Sequence, residues 1–262
     1  MLKRFLILLV ICTLHTVYGY AQTDTINQTD NKGLKQGYWE KNFPDGKTMY
    51  KGYFKDGKPY GTMIRYYESG TIKATIDFFE NNKSKVIFYY EDESKAADGY
   101  YTDNIKDSCW NYFSYYDKVL KATENYKNGK KSGKAYVYYT TGKIFDESNW
   151  VDGKKEGEWI QYFQNGNMKM LTYYENDILY GCFNTYFEDG NPEIVGRYEY
   201  NVRQGDWYFY NDKGEQLLLV KYENGKALNQ DILDSKQKEF FDQMEENIGK
   251  IKEPTLDDVG GF

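Results

Sequence analysis

Aromatic and apolar positions recur along this chain with a spacing of 24 residues, and the recurrence starts at Gly37 and runs to about Gln230. Gly37, Gly61, Gly133, Gly157, Gly181 and Gly205 mark unit starts, and between Gly61 and Gly133 the register passes through Lys85 and Ser108, with one residue lost and one gained. Two residues after each start stand Trp39, Met63, Ile87, Trp110, Ala135, Trp159, Phe183 and Trp207. Five after it stand Tyr66, Tyr90, Phe113, Tyr138, Tyr162, Tyr186 and Tyr210, with Asn42 the exception. Seventeen after it an aromatic returns at Phe54, Phe78, Trp150, Tyr174, Tyr198 and Tyr222, while Tyr101 and Tyr126 are displaced by the indels. Self-similarity at a fixed period of this length is the signature of a repeat architecture.

Turn residues punctuate the aromatic pattern. Asp45-Gly46, Asn165-Gly166 and Asp189-Gly190 separate two β-prone runs within a unit, where glycine supplies the positive φ that a hairpin turn or its bulge demands. A second set, including Asp56-Gly57, Asn128-Gly129, Asp152-Gly153 and Asn224-Gly225, hands the chain to the next hairpin. The expected fold is all-β, an elongated single sheet or solenoid of about eight tandem antiparallel hairpins with a C-terminal capping helix. One hairpin is not a domain. Ordering some two dozen residues costs on the order of 36 kcal/mol, and four or five buried large side chains return about a third of that. Stability must come from stacking between neighbouring units, so an interior tryptophan such as Trp159 is expected to carry more than Trp39 near the end. Positions two and five differ in parity. Either a bulge re-aims one of them or aromatic rows lie on both faces of the sheet.

Outside the array the pattern changes. Residues 1–21 have Lys3 and Arg4, the apolar run FLILLVICTL, then Gly19 and Ala21 as small residues, the layout of a secretory signal peptide cut between Ala21 and Gln22. Residues 22–36 are expected to form a flexible leader, and residues 37–230 the array. Over 231–251, Leu233, Phe240, Met244, Ile248 and Ile251 follow helical spacing with charges between them, which predicts an amphipathic helix that covers the last hairpin; residues 252–262 form a tail.

Composition narrows the chemistry. With 29 Tyr and 24 Gly against 4 Pro in 262 residues, the chain is too aromatic and regular for disorder. The formal net charge of −6 becomes −8 once Lys3 and Arg4 leave with the signal segment, which argues against a nucleic-acid partner. His15 is the sole histidine and lies in that segment, leaving only Cys109 and Cys182 beyond it. Imidazole-based catalysis and most metal sites are thereby set aside, and no cofactor is expected. The two cysteines, three units apart, should be separated by about 29 Å at the usual strand spacing, too far for a disulfide, and are expected as isolated, partly buried thiols. Acidic turn residues such as those at Glu91-Asp92-Glu93 fit no calcium loop. Basic residues beside turns, Lys58, Lys130-Lys131 and Lys154-Lys155, read as a solvated edge.

Units such as GEWIQYFQNGNMKMLTYYEND and GDWYFYNDKGEQLLLVKYENG resemble the MORN-repeat-variant proteins of bacteria, the family often labelled YwqK-like antitoxins. The resemblance spans roughly residues 37 to 226. It implies successive antiparallel hairpins and roles as scaffold, membrane-associated adaptor or immunity protein. Together with the export signal, an immunity role requires a toxin acting in the periplasm or at the cell surface.

The expected function is that of an exported, non-enzymatic binding protein of the cell envelope, located in the periplasm, at the outer membrane or outside the cell. A toxin-like or envelope protein is the expected partner, and association with a membrane surface is compatible with the basic turn residues. The alternative is a cell-wall or glycan-binding repeat module, because Tyr and Trp faces stack on sugar rings. The candidate binding aromatics are Trp39, Tyr66, Trp110, Tyr138, Trp159, Tyr162, Tyr186, Trp207 and Tyr210.

Overall fold

The computed structural model describes residues 25–247. The signal segment, the Ala21–Gln22 cleavage point, the last four residues of the expected helix and the tail lie outside that range.

Strands follow one another in chain order and each pairs antiparallel with its sequence neighbours. After β1 (Gln28–Thr29) come β2 (Lys35–Asn42), β3 (Thr48–Lys55), β4 (Lys58–Tyr66), β5 (Ile72–Phe78), β6 (Lys83–Tyr89), β7 (Lys95–Thr102), β8 (Ile105–Phe113) and β9 (Leu120–Lys127). The meander continues through β10 (Lys130–Tyr138), β11 (Ile144–Val151), β12 (Lys154–Tyr162), β13 (Met168–Glu175), β14 (Ile178–Tyr186), β15 (Pro192–Glu199), β16 (Val202–Tyr210), β17 (Gln216–Glu223) and β18 (Lys226–Ala227). The result is one open 18-stranded sheet.

The strand count corrects the expectation of about eight hairpins. The long strands β2 to β17 carry the repeat, and a two-residue strand is added at each end: Gln28 opposite Gln36, and Ala227 opposite Tyr222. The first of these lies in the span expected to be a flexible leader. An open sheet edge presents unpaired N–H and C=O groups, and short flanking strands blunt it.

Between units the chain turns through two residues that both take positive φ, as at Asp56 (51°) and Gly57 (77°). This is the type I′ geometry, whose twist matches that of the flanking strands. These turns also stack: Gly57 N–H donates to the Lys35 carbonyl, Gly153 to Lys131 and Gly225 to Arg203, each at 2.8–3.0 Å. Opposite ends of the units are tied similarly, with the hydroxyls of Tyr67, Tyr90 and Tyr139 donating to the carbonyls of Tyr89, Phe113 and Tyr162 one unit on.

Unit three departs from the rest. Ser84, not Lys85, is the residue opposite Tyr101, in the relation Gly61 has to Phe78. Val86 therefore replaces Ile87 in the row two positions after the start, and Tyr89 replaces Tyr90 in the row five positions after it. The cause is local: β5 and β6 pair with no shift of register, whereas other inter-unit pairs such as β3 with β4 carry a bulge. Tyr101 is thus in register after all.

Residues directly opposite one another share a face. Trp159 lies opposite both Ser148 and Thr172, and Trp207 opposite Val220, which places one row of large side chains on a single face. The buried residues, among them Val86, Trp110, Thr172, Trp207 and Val220, lie on this tryptophan face. Size is matched across the inter-unit pairs. Trp110 lies over Gly99 and Trp207 over Gly196, so closely that a Cβ on either glycine would come within 2.3 Å of the indole. Met63 lies over Gly52 in the same way, and where the row holds the small Ala135, the opposite residue is Glu124.

The tyrosines five after each start lie on the other face. Tyr138 Oη is 3.1 Å from Thr123 Oγ1, and Thr123 is opposite Tyr136, the neighbour of Ala135. Tyr208 and Tyr210 stack at 6.5 Å. A register shift does fall just before this position, as between Gln161 and Tyr162, but the tyrosine keeps to the second face. Aromatic rows on both faces resolve the parity difference.

One helix, α1 (Gln230–Asn247), follows. Its Leu233 packs on the cluster of Trp207, Val220 and Tyr222. Just ahead of it Asn229 closes part of the free β17 edge: its amide donates to Leu219 O and its Oδ1 accepts from Lys221 N.

Candidate binding surfaces

The nine candidate aromatics do not form one surface. Trp39, Trp110, Trp159 and Trp207 lie on the tryptophan face; Tyr66, Tyr138, Tyr162, Tyr186 and Tyr210 lie on the other. Trp110 and Trp207 are each 1% exposed. They hold the sheet together and offer nothing to a ligand. Trp39 and Trp159 are half-buried, as are all five tyrosines. Spacing alone ranked these residues equally because burial depends on what the neighbouring units contribute.

A row of cations escaped notice in the sequence. Lys35, Lys106, Lys131, Lys155 and Arg203 each stand two residues before a unit start. Lys35 lies 4.5 Å from the Trp39 ring centroid and 4.7 Å from Phe54, Lys106 4.3 Å from Trp110, Lys155 4.0 Å from Trp159, and Arg203 4.7 Å from Trp207. Lys131 sits 4.7 Å from Trp150. Half-buried contacts of this kind contribute about 1–2 kcal/mol each. Lys131 and Lys155 were expected on a solvated edge; they are half-buried on indole faces instead, while Lys58, Lys130 and Lys154 are exposed. The recurrence of a basic residue two before the start was the available signal. Burial lowers the Lys106 pKa.

Unit five interrupts the tryptophan row. Ala135 leaves a notch of about 230 Å³ walled by Trp150, Trp159, Glu124, Asp146, Lys131 and Lys155. Glu124 is ion-paired to Lys131 and accepts from Tyr126 Oη at 2.6 Å. Burial pushes its pKa up, but the bonds from Lys131 and Tyr126 outweigh this and hold it below the usual value. Asp146 accepts from Trp159 Nε1 and Gln161 Nε2, both on its Oδ2. No hydrogen bond reaches its Oδ1 among the described residues.

Among the described residues no second layer covers the tyrosine face. Its exposed members include Tyr53, Tyr60, Tyr100 and Tyr180, and Tyr53 packs at 5.3 Å on Tyr38 and at 5.8 Å on Tyr60. Burial and the nearby Glu147 raise the Tyr162 pKa, so its hydroxyl remains a proton donor at neutral pH. Cys109 and Cys182 are free and exposed, which corrects the expectation of partly buried thiols; both fall one residue after a unit start, on the tyrosine face. Among the described residues no group of three or more His, Cys, Asp and Glu side chains converges on a common point, and no helix is long and apolar enough to cross a membrane.

The fold and surfaces define an open antiparallel β-hairpin repeat protein. No protein-family model matches the chain, and a comparison with curated proteins finds no match either.

Proposed function

We propose that this chain is an exported, non-enzymatic binding protein of the cell envelope, whose tyrosine face docks a protein partner of the toxin-like or envelope class. The observation that supports this most is the uncovered tyrosine face, in which half-buried rings at Tyr138, Tyr162, Tyr186 and Tyr210 recur unit after unit. Tyrosine gives contact area at low entropic cost and carries a hydroxyl that tolerates partial hydration, which is why it is enriched at interfaces. The resemblance of the units to MORN-repeat-variant proteins agrees with a scaffold or immunity role, and the layout of residues 1–21 with export.

The test compares tagged wild-type protein with a Tyr138→Ser, Tyr162→Ser, Tyr186→Ser variant as baits in envelope fractions. The expected outcome is a protein enriched by the wild type and lost by the triple variant, with both baits giving the same β-sheet circular dichroism. Identical enrichment by both baits would remove the tyrosine face from the interaction.

A further inference from the structure

We propose that the notch at Ala135 is a subsite for one pyranose ring of an uncharged glycan. This goes beyond the partner-docking role of the opposite face and does not depend on it. Each buried tryptophan has a ring lying nearly parallel to it. Trp110 has Phe88 and Tyr112, each at 6.4 Å and inclined by 27° and 29°; Trp207 has Phe183 at 5.5 Å and 29°. Phe183 stands two after the start of the unit before Trp207. The equivalent neighbour of Trp159 is Ala135, and the ring partner Trp159 does have, Tyr174 at 5.6 Å, is tilted by 48°. Trp110 follows Val86 in this row and takes its parallel rings from Phe88 and Tyr112, two positions further along the strands. Trp159 has no ring at either kind of position, since Val137 and Gln161 stand where Phe88 and Tyr112 do, and the space left is about 230 Å³. That is below the ~300–1,000 Å³ of sites that enclose a whole small molecule, and it suits a single ring of a longer chain.

The walls decide which ring. Glu124 and Asp146 face Lys131 and Lys155 around the notch, two acids against two bases, so the site is balanced for a neutral occupant. A hydrocarbon ring would strip water from Asp146 Oδ1 and the Lys155 ammonium, which have no hydrogen bond among the described residues, and return none, at ~1–3 kcal/mol for each group left unsatisfied. A pyranose carries both surfaces. Its C–H face lies against indole, and its rim of hydroxyls donates to carboxylate oxygens such as Asp146 Oδ1 and accepts from the lysine ammoniums.

Isothermal titration of the full chain with β-linked tetramers of glucose and of N-acetylglucosamine tests this, with N-acetyl-tryptophanamide as an aromatic probe. At least one sugar should bind with a Kd on the order of 1 mM or tighter. Glu124→Thr combined with Ala135→Phe recreates the Thr172–Phe183 pair and fills the row; it should weaken binding at least about tenfold while keeping the β-sheet circular dichroism of the wild type. Asp146→Asn should weaken it as well, and it carries the test should the double variant fail to fold. Binding of neither sugar, binding undiminished in the variants, or preference for N-acetyl-tryptophanamide over both sugars would each overturn the proposal.

Discussion

Gly99 and Gly196 are the positions where one added carbon does most. A Cβ on either meets the indole ring atoms of Trp110 or Trp207 at 2.3–2.7 Å, and both indoles are locked by rings on their other sides. Gly99→Ala and Gly196→Ala should each lower stability by about 1–3 kcal/mol in urea unfolding, the usual cost of overpacking. Gly52→Ala meets Met63 Cβ, Cα and Cγ at 3.1–3.3 Å, a much milder crowding than 2.3 Å, and should cost less. The reverse holds at Glu93. It carries a φ of 63° where other units have glycine, such as Gly70 at 97°. Left-handed backbone costs an L-residue about 1–2 kcal/mol, part of which glycine returns as chain entropy. Glu93→Gly should therefore stabilise by roughly 0.5–1 kcal/mol, read as a higher urea midpoint at unchanged slope. The turn glycines were legible in the sequence. The size matching of Gly99 with Trp110 was not, because it joins residues on adjacent strands whose register depends on a bulge.

The strand pair β9–β10 carries the clearest pH dependence. Glu124 bridges the two strands through Lys131, and its folded pKa lies below the ordinary 4.5. A carboxylate with a depressed folded pKa adds stability above its unfolded pKa and loses it as pH falls through the folded value. Urea midpoints should hence drop as pH is lowered from 6 toward 3, and Glu124→Gln should show a flatter drop with a lower plateau at pH 6. Elements also reorder the tryptophans. Trp159, central in the array, was expected to carry more than Trp39 near the end, with no order given among the interior tryptophans. Trp207 is the more deeply buried, because Phe183 and Val220 cover it while Trp159 borders the small Ala135. Trp207→Ala should cost about 3–5 kcal/mol and Trp159→Ala less, as measured by chemical denaturation. Sequence spacing located both residues but gave no account of their neighbours' volumes.

At the level of the whole molecule, each unit leans on the next through the stacked turns, the Tyr67, Tyr90 and Tyr139 bonds and the matched pairs across unit joins. Such an array behaves as a sum of units and nearest-neighbour terms. Excising residues 157–180 joins Glu156 to Gly181 and brings Ser148 opposite Phe183, a pairing close to the native Thr172–Phe183. The shortened chain should keep its β-sheet circular dichroism and unfold with a denaturant slope lower by about one eighth, in proportion to the surface exposed. Loss of cooperative unfolding would mean the units are not interchangeable.

By itself the sequence determined the period, the turn positions, the all-β class and the presence of a C-terminal helix, because φ preferences of Gly, Asn and Asp and the spacing of aromatics are local properties written in every unit. It did not determine the extra strands β1 and β18, the register of unit three, or which aromatics are core and which are open. Those depend on pairing between strands: a single residue of register moves a side chain from one face to the other, and only the assembled sheet sets where each bulge falls. The notch at Ala135 has the same origin. An alanine in a row of large side chains is visible in the chain, but of the groups that surround it only Lys131 is on its own strand; Glu124, Asp146 and Lys155 come from three others and meet there only once the sheet has formed.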